Sequence, residues 1–318
     1  MIAFVFPGQG SQYVGMGKAL VEAFPVCRET LEQADDALGE PLSRLCFQGP
    51  ADELMLTANT QPAVLAVSVA TYRILTAAGV KPSLMAGHSL GEYSAHVAAG
   101  TLSFADALRT VRRRGLYMQE AVPVGTGAMA AILGLGAEIV AQACAEVAEG
   151  DIVSPANLNA PGQVVIAGTR DAVARAAVRT KELGARRVVP LPVSAPFHCA
   201  LMAPAQVRLE AELRGLVISD PRVPIIANVD ARAKLDGVAS IDALVRQVSS
   251  PVLWDSVVRK LSSSGIDTYV EVGPGTVLSG LVKKIDRHAV TLSVGDPEGV
   301  TALETLVGKH SPVDKIDG

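Results

Sequence analysis

Residues 87–91 read Gly87-His88-Ser89-Leu90-Gly91, the G-x-S-x-G pattern of a nucleophile elbow. A short apolar run at 84–86 precedes it and fits a buried strand. Residues 92–99 read as a helix that stops at Gly100. At such a strand-to-helix junction a sharp turn lifts the serine hydroxyl out of the backbone and aims it at a cleft. Small residues on either side tolerate the strained turn and the close approach of neighbouring chain. The chemistry implied is attack by Ser89 on an acyl carbonyl. The competing reading of the same residues is a glycine-rich turn with an inert serine.

A serine hydroxyl needs a positioned base, most often histidine. The chain has five histidines: His88, His96, His198, His288 and His310. His88 neighbours Ser89, and adjacent side chains on a turn diverge, so it reads as a packing or hydrogen-bonding residue. His96 lies two helical turns away. His288 follows a basic stretch and is expected at the surface, and His310 sits in a polar tail. Elimination leaves His198, in the irregular segment Ser194-Ala195-Pro196-Phe197-His198. The alternative there is an ordinary loop histidine. A carboxylate to orient the base is not evident, although Asp151 and Asp171 fall between Ser89 and His198, where the order Ser–acid–His would put one. Both belong to a separate unit, so a Ser–His dyad is expected, with another acceptor holding the imidazole.

The elements that must position these residues alternate between short apolar runs and helical patterns. Residues 1–6 read as a first buried strand and 59–78 as a long apolar helix. Ser103 opens a helix running to 121, with Asp106 as its capping-box acid. That rhythm predicts an α/β fold with a mainly parallel sheet. Between 127 and 193 the order becomes strand (127–133), helix (137–148), strands (152–157 and 163–167), helix (171–183) and strand (187–193). This βαββαβ order is the ferredoxin-like unit. The expected organisation is an α/β-hydrolase-like large domain over 1–124 and 197–318, with a ferredoxin-like small domain inserted at 125–196. After the insertion we expect a helix beyond His198, a strand at 223–228 and a helical stretch at 242–264 broken at Pro251. A strand at 269–272, a helix to 285 and a last strand at 290–294 follow. A cleft between such domains is a common ligand site.

Composition bounds the partners. The chain has 318 residues, is 49% hydrophobic and 19% charged, and carries a net charge of −4. These values describe a globular chain with a large core and argue against general nucleic-acid binding. No run is long enough to span a bilayer, and the first residues do not resemble a signal peptide. The four cysteines are scattered without metal-ligand spacing, which fits free thiols in a cytoplasmic protein.

Five motifs occur in order: Pro7-Gly8-Gln9-Gly10-Ser11-Gln12, the elbow with Glu92, Arg114-Gly115 with Met118-Gln119-Glu120-Ala121, Pro196-Phe197-His198-Cys199, and Glu271-Val272-Gly273-Pro274-Gly275. Across almost its whole length the chain resembles malonyl-CoA:acyl-carrier-protein transacylases of type II fatty-acid synthesis. The resemblance implies ping-pong transfer through a malonyl-Ser89 ester, with His198 as base. It implies an oxyanion hole from the backbone N–H groups of Gln9 and Leu90, and a backbone carbonyl at Gln247 orienting His198. Malonyl carries a free carboxylate, which an arginine fork suits. Helical geometry leaves Arg112, Arg113 and Arg114 open, and the resemblance selects Arg114. Phe197 stands where some members have Ser, a pattern linked with malonyl over methylmalonyl. Its bulk would exclude a methyl branch, a difference worth about 1–3 kcal/mol.

Met118 and Val193 are candidates for the acyl pocket, and Asn157 and Asn159 for contact with coenzyme A or pantetheine. Core packing and turn chemistry explain them nearly as well. The expected partners are malonyl-CoA and acyl carrier protein, with no nucleic acid and no membrane. No cofactor is expected beyond the thioester substrate, and the chain is expected to be monomeric. An acidic carrier would dock on a basic patch, for which Arg186-Arg187 and Lys283-Lys284 with Arg287 are candidates. Alternatives on the same core are a serine thioesterase or hydrolase, or malonyl loading of a polyketide-synthase or malonate-decarboxylase carrier.

Overall fold

The computed structural model describes residues 1–123, 125–193 and 195–308. Ser194, His310 and the tail at 314–318 lie outside the described residues. Ten strands are present among the described residues: β1 (Ile2–Phe6), β2 (Leu84–Gly87), β3 (Gly127–Leu133), β4 (Val153–Ala160), β5 (Gln163–Thr169), β6 (Arg187–Pro190), β7 (Ile225–Ile226), β8 (Ala233–Lys234), β9 (Thr268–Val272) and β10 (Val290–Val294).

Six of them form one sheet in the order β10-β9-β1-β2-β7-β8. Every neighbouring pair is parallel except β7 with β8. The central strand β1 (Ile-Ala-Phe-Val-Phe) carries no polar side chain because both faces are covered. Its residues alternate with the pleat. Phe4 and Phe6 enter the large core beside helices Thr57–Ala77 and Phe104–Glu120, while Ala3 and Val5 enter a second core with Trp254 and Tyr269.

The remaining strands make an antiparallel sheet in the order β4-β5-β3-β6. Together with helices Ala137–Glu146 and Arg170–Glu182 they run strand-helix-strand-strand-helix-strand along the chain. They enclose a core of their own that includes Ala130, Ile132, Val140, Ile166 and Val173. Val252 ties the two sheets together. It donates to Ala156 O and accepts from Leu158 N–H, both at 2.9 Å.

Some elements differ from expectation. The strand expected at 223–228 is only Ile225–Ile226, because the Asn228 N–H bonds to Glu92 Oε2 at 2.9 Å rather than to a neighbouring strand. The helical stretch expected at 242–264 is broken around Pro251 as expected, but its first helix has a different start. Gly237–Gln247 starts earlier, where Asp236 caps Ala239 N–H at 2.8 Å, and Trp254–Ser263 follows Pro251. The strand expected to reach 193 ends at Pro190. Residues 18–55, where the pattern predicts no element, fold into helices Lys18–Ala23, Pro25–Leu38, Leu42–Gln48 and Ala51–Met55. A further helix, Pro297–Leu306, follows β10.

The loops after β1, β2 and β7 leave the same C-terminal edge of the parallel strands, which is where open α/β sheets place their sites. The Glu271 motif serves this frame. Its buried carboxylate accepts from Leu278 and Ser279 N–H at 2.9 and 2.8 Å and so caps helix Val277–Ile285.

The elbow crosses the end of β1 so closely that only glycine fits. A Cβ on Gly91 would lie 2.0 Å from Phe6 O, and one on Gly87 would lie 1.9 Å from Gly91 C. Both contacts are with backbone, which cannot move aside. We predict that Gly91→Ala destabilises the fold by at least about 2 kcal/mol. Denaturant unfolding measures this, and an unchanged midpoint would contradict the packing described.

Candidate active site

A cavity of about 410 Å³ opens at this edge, between the parallel sheet and the face of β3, β4 and β5. Ser89, His198, Arg114, Gln9 and Leu90 line it on one side. Asn157, Asn159, Met129 and Val165 line it on the other.

Ser89 sits between β2 and helix Leu90–Ala99 with φ 51° and ψ −106°. A non-glycine residue held at positive φ stores roughly 1–3 kcal/mol and persists only when its surroundings over-determine it. Here they do. Asn228 Oδ1 accepts from Ser89 N–H at 2.7 Å, and Asn228 Nδ2 donates to Gly87 O at 2.6 Å. One fully buried side chain thus grips the turn on both sides of the serine.

His198 Nε2 lies 2.7 Å from Ser89 Oγ, and His198 Nδ1 lies 2.9 Å from the backbone carbonyl of Gln247. A carbonyl only accepts, so Nδ1 carries the proton and Nε2 is left as the acceptor for the serine hydroxyl. The dyad therefore has its orienting group without a carboxylate. Burial pushes the His198 pKa down to about 3; the positive Arg114 adds to the fall, and the Gln247 carbonyl opposes it. The imidazole is neutral at pH 7, as a general base requires.

Of the three consecutive arginines, only Arg114 lines the cavity. Arg112 pairs with Asn59 and Glu40, and Arg113 pairs with Glu212 at 2.9 Å. Arg114 is 2% exposed. Nη1 donates to Gln61 Oε1 at 2.8 Å, and Nη2 donates to Gln247 Oε1 at 2.9 Å and to Ser89 Oγ at 3.1 Å. The Tyr93 ring lies 5.4 Å from its guanidinium carbon. All these partners are neutral. Among the described residues no carboxylate comes within ion-pair distance of this buried cation.

Gln247 links the parts. Its carbonyl holds His198 and its Oε1 faces Arg114. Its Nε2 donates to Ser89 O at 3.0 Å and to Glu92 Oε2 at 2.8 Å. Glu92 is fully buried, and burial raises its pKa to about 7 against the hydrogen bonds that favour the charged form.

Met118, Phe197, Asn157, Asn159 and Val193 all line the cavity. His88 also lines the cavity, but its ring is held by other partners. Its Nε2 lies 2.8 Å from Asn159 Oδ1, and its ring rests 5.5 Å from that of Trp254. His96 is fully buried, with neither ring nitrogen hydrogen-bonded, and His288 is exposed. The four cysteines are buried free thiols. Sequence reasoning missed Gln61, Glu92 and Asn228. A glutamine within the apolar helix Thr57–Ala77 and a carboxylate at the start of the apolar helix Leu90–Ala99 were signals available for the first two.

Residues 3–306 match the acyl transferase domain family. The malonyl CoA-acyl carrier protein transacylase of Escherichia coli K12 is 52% identical over 305 residues, 96% of this chain and 99% of that protein. The Bacillus subtilis 168 protein of the same name is 50% identical over 307 residues, 96% and 97% of the two chains. The crystal structure of an acyl carrier protein S-malonyltransferase from Vibrio cholerae aligns with a TM-score of 0.94 at 50% identity, covering 95% of this chain and 99% of that one. A malonyl-transacylase solved in complex with its type II PKS acyl-carrier protein also aligns at 0.94 and 50% identity, covering 96% and 99%. With the acyl transferase domain matched almost end to end and half of all residues shared with these proteins, the chain belongs to the malonyl CoA-acyl carrier protein transacylase family.

Proposed function

We propose that this protein transfers a malonyl group from coenzyme A to the phosphopantetheine thiol of acyl carrier protein, supplying the extender unit for fatty-acid synthesis. The observation that carries this reading is the buried Arg114 guanidinium beside Ser89, held only by neutral acceptors. A cation taken out of water costs several kcal/mol unless a counter-charge reaches it. A free carboxylate on the acyl group meets that need and docks the thioester next to the serine.

The site supports the following steps. Ser89 Oγ attacks the thioester carbonyl as its proton passes to His198 Nε2. The tetrahedral oxyanion forms near the backbone N–H groups of Gln9 and Leu90, which we take as its donors. The C–S bond breaks, and coenzyme A leaves as the thiol with the proton from His198. The carrier thiol then gives its proton to His198 and attacks the Ser89 ester. The ester C–O bond breaks, and the proton returns to Ser89. No redox partner or cofactor enters this balance.

Phe197 crowds the position of an α-substituent, favouring malonyl over its methyl homologue. Met118 and Asn157 line the cavity, and we take them to contact the acyl group and the pantetheine arm respectively. We take 1–124 with 197–318 as the large domain and 125–196 as a ferredoxin-like small domain, acting together in a cytoplasmic monomer. No helix of the described residues is long and apolar enough to cross a membrane. Exposed Arg186, Arg187, Lys283, Lys284 and Arg287 remain candidates for carrier docking. Lys284 already bonds to Gln163 Oε1 at 2.8 Å. The neighbour solved with a type II PKS carrier favours a polyketide carrier as the second reading.

Two outcomes test the proposal. Arg114→Ala should lower kcat/KM for malonyl-CoA by about a hundredfold or more, the scale of losing one partner of a buried ion pair, while acetyl transfer is relatively spared or improved. Equal losses with both donors would exclude Arg114 as the carboxylate's partner. The depressed His198 pKa sets the pH profile. The base is active when neutral, so acylation falls as pH drops through its pKa near 3. The rate of Ser89 acylation should therefore stay flat through pH 6.5, where an ordinary histidine titrates. An acid limb centred near 6.5 would contradict the neutral, desolvated dyad.

A further inference from the structure

Glu92 is fully buried near the start of a helix whose other buried residues are mostly apolar. It forms no ion pair among the described residues. Both its hydrogen bonds land on Oε2, one from Asn228 N–H at 2.9 Å and one from Gln247 Nε2 at 2.8 Å. Oε1 has no hydrogen-bond partner. The arrangement therefore holds whether the carboxyl is charged or protonated, since a single acceptor oxygen makes both bonds.

The chemistry of Gln247 gives that acceptor its importance. A side-chain amide is nearly symmetric in shape and can present either NH₂ or oxygen to a neighbour. Arg114 is donor-only, so it tolerates only the oxygen. Ser89 O and Glu92 Oε2 take the two amide hydrogens of Gln247, which forces Oε1 toward Arg114 Nη2 at 2.9 Å. Gln61 Oε1 holds the other nitrogen, Nη1. The same Oε2 fixes the Asn228 backbone, whose side chain grips the elbow.

We propose that Glu92 is a positioning residue for acyl selection: its acceptor oxygen locks the Gln247 amide and, through it, the aim of Arg114 across Ser89. This rests on the reading of Arg114 as the partner of the acyl carboxylate.

The test compares kcat/KM for malonyl-CoA and acetyl-CoA in Glu92→Met, which keeps the volume without an acceptor, and in Glu92→Gln, which keeps one acceptor oxygen. Glu92→Met should lower the malonyl-to-acetyl ratio by roughly tenfold or more, the scale of one hydrogen bond to a charged group. Glu92→Gln should restore most of that ratio. Equal losses with both donors in Glu92→Met would overturn the proposal, because a purely structural role lowers both. If Glu92→Met does not fold, Glu92→Asp withdraws the oxygen by one methylene. The same fall in ratio is expected, and equal losses would again overturn the proposal. Arg114→Ala run in parallel separates the two claims. A ratio unchanged there defeats the Arg114 reading itself. The crystal structure of the Glu92 variant then decides positioning without reference to acyl preference. Gln247 Oε1 should leave Arg114 Nη2, and a retained contact would overturn the proposal.

Discussion

A guanidinium whose hydrogen-bond partners among the described residues are all neutral, buried a hydrogen bond away from the Ser89 hydroxyl, is the constraint around which this site is organised. Placing it there is costly, since desolvation of a cation is only partly offset by neutral acceptors. Gln61, Gln247 and Ser89 supply those acceptors. They come from three separated parts of the chain, which the two packed helices Thr57–Ala77 and Phe104–Glu120, the elbow and helix Gly237–Gln247 bring together. Burial, with this cation adding to it, lowers the basicity of His198 and keeps the imidazole neutral, and the cation also donates to Ser89 Oγ. On the proposed function, acyl preference and activation of Ser89 thus share one charge.

The strained serine is the second cost, and the frame around it explains how it is carried. Parallel strands ending at one edge bring the β1, β2 and β7 loops together. Backbone contact between Gly91 and Phe6 seats the turn on β1, and the Asn228 side chain closes it from β7. These contacts hold Oγ where His198 Nε2 can take its proton, so that little reorganisation is left for the reaction itself.

Much of this was legible in the sequence where the signal is local. The elbow is a five-residue pattern between a strand and a helix. β3 and β10 were readable to the residue from short apolar runs with glycine or polar flanks. The βαββαβ order was visible because each element has its own period. His198 could be reached by elimination because histidines are few. Arg114 could not be separated from Arg112 and Arg113 by periodicity, because what distinguishes it is its surroundings. Glu40, Asn59 and Glu212 draw its neighbours outward. Asn228 and Gln247 bond to Ser89 across 139 and 158 residues, and no spacing rule spans such distances. The short β7 was overread for the same reason, since Asn228 gives its N–H to a carboxylate rather than to a ladder.

On the proposed function, Ser89 carries the malonyl group between two thiols. Intact-protein mass after brief exposure to malonyl-CoA, with Ser89→Ala in parallel and holo carrier protein added afterwards, tests it most directly. One malonyl adduct is expected on the wild type and none on Ser89→Ala, stable in water until the carrier thiol discharges it. An adduct that forms equally on Ser89→Ala, or one that water removes as fast as the carrier does, would contradict it.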